Sequence, residues 1–226
     1  MIVSLSDEIV AACPDLHVLV ISCDVINSES DEMLWREIAE EEINVRSSMK
    51  LEDINKWPPI RATRQAYKRL GKDPNRYRPS AEALRRRILR GLPLYKVDTL
   101  VDLINLLSIR SGYSIGGFDA DKIVGDSLVL GVGHEGEIYH GIGRGELNIC
   151  GLPVYRDAVG GIGTPTSDEE RTKIGGQTSR LLMIINGYSG IEGLEEAGAY
   201  GVDLLKRYVS ATNLQTDLIS VKNRAK

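Results

Sequence analysis

Residues 97–125 read VDTLVDLINLLSIRSGYSIGGFDADKIVG, and the chain changes character within this stretch. From Asp98 to Ile109 the residues Leu100, Val101, Leu103, Ile104 and Leu107 recur so densely that they predict a helix buried over most of its surface. Asn105 is its polar exception, and an amide there needs hydrogen-bond partners, from a neighbouring loop or from a ligand. From Gly112 onward, glycine-rich turns separate short β-type runs at 127–132, 137–142, 153–156 and 180–185. Helices before this point and strands after it predict an α+β fold rather than a doubly wound parallel sheet.

Upstream, residues 4–12 predict a short helix and 16–26 (LHVLVISCDVI) a strand rich in β-branched residues. Met33, Leu34, Ile38 and Ile43 then recur at helical spacing, opposite an acidic face. Trp57-Pro58-Pro59 breaks that pattern, and Ile60, Thr63, Tyr67 and Leu70 mark the inner stripe of the next helix. Ser80 is placed to cap a further helix, with Ala81, Leu84 and Ile88 inside and Arg86 and Arg90 opposite. Downstream, the runs 127–132 and 137–142, separated by Gly133-His134-Glu135-Gly136, predict a hairpin. A last helix is expected over 191–209, and 222–226 reads as a frayed tail. No repeat or low-complexity linker divides the chain. One domain over 1–226 is expected, with 1–59 as a flank or small subdomain and 60–210 as the core.

Charge is segregated. The net formal charge of −4 argues by itself against a constitutive nucleic-acid binder. Yet residues 60–96 hold twelve basic side chains against two acids, while 29–42 hold seven acids and one arginine. The basic stretch, with Arg61, Arg64, Arg86 and Arg90 on two helices, creates a local potential suited to phosphates; a solvated helix face is the plainer use. Three widely spaced cysteines, Cys13, Cys23 and Cys150, argue against a disulfide framework and for a reducing, cytoplasmic setting. No apolar run reaches the ~20 residues of a membrane span, and no His/Cys spacing predicts a metal. Gly131–Gly136 matches a dinucleotide-binding pattern formally, but a strand-like run follows it where a helix would be needed, so no cofactor is expected.

Residues 151–185 (GLPVYRDAVGGIGTPTSDEERTKIGGQTSRLLMII) enter on a strand, cross a loop rich in Gly, Thr, Ser and acids, and return on an apolar run. Such a loop is either solvated or a ligand wall, since glycines permit close backbone approach and hydroxyls and carboxylates bind and move protons.

The order Tyr77-Arg78-Pro79-Ser80, then Val101-Asp102 with Asn105, then Phe118-Asp119, Lys122-Ile123 and Gly125, resembles the editing (B3/B4) domain of the phenylalanyl-tRNA synthetase beta subunit, in its free-standing form. The resemblance spans roughly 60–190. It implies a three-layer α+β fold with a β-sandwich core and helices packed on one side. It also implies hydrolysis of a wrongly esterified aminoacyl-tRNA by water attack, without a covalent nucleophile and without aminoacylation by this chain alone. By that resemblance the ligand pocket is built from the Phe-Asp loop (Gly116, Gly117, Phe118, Asp119) and the Gly-Gly loop (Gly160, Gly161); Asn105, Thr164, Thr166 and Ser167 are further candidates for ligand contact, and Asp168 or Glu169 for orienting the water. In the RNA-linked reading of the basic stretch, Arg61, Arg64, Arg86 and Arg90 are expected to meet tRNA phosphates. The family pattern Pro-Met-His-Ala-Phe-Asp corresponds here to Ser114-Ile115-Gly116-Gly117-Phe118-Asp119, so glycine stands at the histidine position. Its Gly-Gly-Glu becomes Gly160-Gly161 with the acids displaced to Asp168 and Glu169, and Tyr95 stands where an arginine often precedes the Val-Asp helix.

The expected partners are therefore tRNA or aminoacyl-tRNA, or a small amino-acid-like ligand bound without catalysis. A domain that has lost its pocket and serves as an interaction module is the third possibility.

Overall fold

The computed structural model describes residues 1–221. In chain order it forms β1 (Ile2–Leu5), α1 (Asp7–Ala12), β2 (His17–Asp24), α2 (Glu32–Ser48), α3 (Pro58–Arg69), α4 (Ser80–Leu89), α5 (Thr99–Ser111) and β3 (Ile115–Asp119). There follow β4 (Ser127–Val132), β5 (His140–Gly141), β6 (Gly145–Glu146), β7 (Pro153–Arg156), β8 (Gly161–Gly163), β9 (Arg180–Gly187), α6 (Leu194–Val209) and β10 (Thr212–Ser220).

The strands build two four-stranded sheets. One, in the order β10-β2-β9-β3, is antiparallel; the other, β1-β4-β7-β8, is mixed, because β1 runs parallel to β4. Strands β2 and β9 are apolar along nearly their whole length because both of their faces are covered. Leu19, Ile21 and Cys23, with Leu181, Met183 and Ile185, pack under residues of α5 and α6. Val18 and Val20, with Leu182 and Ile184, face Leu128, Leu130 and Ile162 of the second sheet. That second sheet alternates buried and exposed residues along β1 and the start of β4, while the outer side of β7 is covered by Tyr67 and Tyr139, which pack with Val154. Helices α2 and α4 lie against α5. The result is a three-layer α+β arrangement, a β-sandwich with helices on one side.

Helix α5 matches its prediction: Asp98 caps it through the Val101 N–H at 2.9 Å, and Gly112 ends it in the left-handed region at φ 77°. Asp102, 1 % exposed, faces inward and ties down the chain around it, accepting from Ser30 Oγ at 2.5 Å, Trp35 Nε1 at 2.6 Å and the Val97 N–H at 3.1 Å.

Four local expectations are corrected. Residues 2–5 form β1, so the helix begins only at Asp7, capped by Ser6; pairing with β4 overrides local helix preference there. Met33 and Ile43 are exposed, and the inner face of α2 is Leu34, Ile38 and Val45. The runs at 127–132 and 137–142 do not pair: β4 lies between β1 and β7, whereas β5 pairs with β6 across a short turn. Pro79, not Ser80, is the N-cap of α4; the Ser80 N–H donates instead to the Pro165 carbonyl at 2.8 Å, tying the helix start to the 164–169 loop. The tail 222–226 lies outside the described residues.

Candidate functional site

Strand β3 is an edge strand of its sheet, and all five of its residues are buried. The other side of Phe118 bridges to Lys173, so the segment after β8 folds back over this edge. Alternation sends Gly116 and Phe118 between the sheets and Gly117 toward α5, where a Cβ would lie 2.5 Å from Ile104 Cδ1. The Phe118 ring leans over two glycines: a Cβ on Gly116 would stand 2.7 Å from its Cζ, and one on Gly163 2.5 Å from the same atom. Glycine at the 116 position follows from that ring, which fills the room a histidine there would need.

Asp168 enters this corner from the loop. Its Oδ2 accepts the Gly117 N–H at 3.1 Å, and its Oδ1 lies 2.9 Å from where a Gly163 Cβ would be. Desolvation pushes its carboxyl up to about 7, against the partial relief of the Gly117 N–H. A carboxyl with this pKa exchanges protons near neutrality, which suits a general acid or base.

The neighbouring candidates are occupied by the loop itself. Thr164 Oγ1 accepts the N–H groups of Thr166 at 3.2 Å and Ser167 at 3.1 Å. Thr166 Oγ1 pairs with Tyr67 Oη at 2.9 Å, and Tyr139 Oη donates to the Ser167 carbonyl at 2.7 Å. Ser167 Oγ donates to the Asp168 carbonyl at 3.2 Å. Glu169 caps the short turn Glu170–Thr172, its Oε2 accepting the Arg171 N–H at 2.6 Å. Asp119 binds Thr178 Oγ1 at 2.9 Å and Lys122 Nζ at 3.1 Å. Gly160 sits at the turn between β7 and β8 with open space around it, while Gly161 packs under the Tyr139 ring. Asn105 stands apart: it lines an apolar cavity of about 120 Å³ with Trp35, Leu94 and Ile109, and its amide makes no hydrogen bond among the described residues. Of the two loop acids, Asp168 is the one hydrogen-bonded to β3.

A second feature lies beside α4. Arg78, Arg86, Arg87, Arg90 and Arg144 line a cleft of about 340 Å³ with Tyr95. Arg86 Nε donates to Glu82 Oε1 and Arg64 Nη1 to Glu82 Oε2, each at 2.8 Å, on a carboxylate that is itself 0 % exposed. Arg64 also bonds the Pro74 carbonyl and Asn75, so it is held within the fold. Arg87 stacks on Tyr95 at 4.0 Å. Arg78, Arg90 and Arg144 form no ion pair or side-chain hydrogen bond among the described residues, which leaves their charge for a ligand. Arg61 is exposed on α3 and does not line the cleft. Arg144 could not be assigned to this group from sequence, because only the β5–β6 hairpin brings it to α4. That hairpin also touches the loop, the Ile142 N–H donating to the Asp168 carbonyl at 3.0 Å.

Among the described residues no helix is long and apolar enough to cross a membrane. No curated protein matches the chain. Among solved structures, the N-terminal fragment of the phenylalanyl-tRNA synthetase beta-subunit from Pyrococcus horikoshii is similar in fold, with a TM-score of 0.50 and 13 % identity over 95 % of this chain; the chain spans 50 % of that fragment. The family model of the B3/4 domain matches residues 62–209, from α3 through the end of α6. The chain is therefore a member of the B3/4 domain family.

Proposed function

We propose that this protein binds tRNA and hydrolyses an aminoacyl ester at its 3′ end, with Asp168 as the proton-transferring group. The observation that carries the reading is the desolvated Asp168 carboxyl, poised near neutrality between β3 and β8, and connected through the β5–β6 hairpin to the arginine cleft. The fold supports it: the structurally similar fragment belongs to a subunit of a tRNA synthetase.

In this reading Arg78, Arg90 and Arg144 hold backbone phosphates, and the 3′ end reaches the 164–169 loop. The ionised carboxylate of Asp168 takes a proton from water, and the water oxygen bonds to the ester carbonyl carbon. When the tetrahedral intermediate collapses, the carbon–oxygen bond to the ribose breaks and Asp168 returns its proton to the ribose oxygen, releasing free amino acid. Phe118 and the two glycines beneath it shape the wall.

The test is deacylation of a panel of mischarged tRNAs by the full chain. Wild type should accelerate hydrolysis of at least one of them, and Asp168→Asn should lose ~100-fold or more of that rate. A panel with no hydrolysis above the uncatalysed rate would overturn the catalytic reading. A second reading, a domain that binds an amino-acid-like ligand without catalysis, draws on the Glu169 carboxylate being engaged in its turn, which leaves Asp168 alone to move a proton. Saturable binding without hydrolysis selects it.

A further inference from the structure

A cleft of about 400 Å³ opens elsewhere, between the start of α3, the end of α5 and the start of α6. Its walls are aromatic: Trp57, Tyr113 and Tyr200. Trp57 is held from two sides. Arg85 stacks over its ring at 3.6 Å, and Gly112 lies so close that a Cβ there would stand 2.4 Å from the six-membered ring. Tyr113 is fixed by its hydroxyl, which donates to the Glu192 carbonyl at 2.9 Å. These rings form a rigid apolar wall.

Charges of both signs stand around the opening. Arg110 lies over Tyr200 at 4.3 Å, and Glu192 and Glu196 line the α6 side. None of the three charged groups forms an ion pair among the described residues, although eleven ion pairs occur elsewhere in the fold. A simple anion would meet two carboxylates and a simple cation would meet Arg110. A molecule with an ammonium and a carboxylate on one carbon and an apolar body satisfies all three features. The volume falls within the usual range of small-ligand sites.

We infer that this cleft binds a free α-amino acid with an aromatic or large aliphatic side chain, its carboxylate on Arg110, its ammonium toward Glu192 and Glu196, and its side chain against Trp57 and Tyr113. The site is distinct from the Asp168 corner and independent of the function proposed there.

Calorimetric titration of the full chain tests it, using L-phenylalanine, L-tyrosine and L-leucine beside their methyl esters and N-acetyl derivatives. The free amino acid should bind saturably, and each blocked form about tenfold or more weaker, the cost of one lost charged contact. Arg110→Gln should remove the preference over the methyl ester, Glu192→Gln with Glu196→Gln should remove the preference over the N-acetyl form, and Asp168→Asn should change neither. All three charged side chains are exposed, so these variants keep the fold, which circular dichroism checks. Absence of saturable binding at millimolar concentration overturns the inference. So does equal binding of free and blocked forms, or binding lost in Asp168→Asn and kept in Arg110→Gln, which would place the ligand in the other corner.

Discussion

The Phe118 ring and Gly163 share one space: Cζ of the ring is 2.5 Å from where a Gly163 Cβ would lie, and Asp168 Oδ1 is 2.9 Å from that same point. An added methyl must therefore displace a buried ring in a packed sandwich and a carboxylate at once. Gly163→Ala should destabilise the fold by about 1–3 kcal/mol, the usual cost of overpacking. Denaturant unfolding reads this as a lower midpoint. An unchanged midpoint would mean that the two sheets part more easily here than their packing indicates.

Asp168 makes stability depend on pH in a direction opposite to most carboxylates. Burial raises its folded pKa to about 7 from the ordinary aspartate value of 3.8, so between those pH values the folded state holds a proton that the unfolded chain has released. The contribution is fully present below pH ~4 and is lost as pH rises through ~7, at most ~4 kcal/mol and less where solvent reaches the side chain. Asp168→Asn should abolish this slope, leaving a variant more stable than wild type at pH 8 relative to pH 5. Unfolding curves at the two pH values check the sign. In the deacylation assay, a rate rising with pH to a half-point near 7 identifies the same group acting as a base.

Glu82 is the hidden organiser of the basic segment. It is 0 % exposed and receives both Arg64 and Arg86 at 2.8 Å. Removing one member of such a cluster leaves partly buried charge uncompensated, so Glu82→Ala should cost about 3 kcal/mol in denaturant unfolding. Arg64→Ala should likewise lower stability, which separates it from the exposed arginines of the cleft.

Much of the framework was readable from pattern because burial on both faces leaves a plain signal: β2, β9 and α5 are continuous apolar runs of the right length. Strands β3 and β8 carried no such signal, since Ile-Gly-Gly-Phe and Gly-Ile-Gly have weak strand preference and become strands through their pairing with β9 and β7. Strand β10 was hidden by its polar, solvent-facing residues at a sheet edge. At the site, the motif order led to Gly116, Gly117, Phe118 and Asp168, which meet in one corner. The local hydrogen bonds that occupy Thr164, Glu169 and Asp119 follow from turn geometry, which no spacing reveals. Glu82 stood out only as one acid among many cations; its burial depends on α3 and α4 lying side by side.

In the proposed function, phosphate contact and fold maintenance fall on different arginines. Arg78, Arg90 and Arg144 are exposed and, among the described residues, form no ion pair or side-chain hydrogen bond that their loss would break. Each of Arg78→Gln, Arg90→Gln and Arg144→Gln should leave the unfolding midpoint unchanged. Each should weaken tRNA binding and flatten the plot of log affinity against log salt by about one unit of slope, because one fewer counterion is released. Arg64→Gln should show the reverse, a lowered midpoint with little change of slope, since its guanidinium is already bound to Glu82, Pro74 and Asn75. Filter binding across a salt series, with unfolding curves on the same variants, measures both. Affinity that does not respond to salt would remove the cleft from any nucleic-acid role.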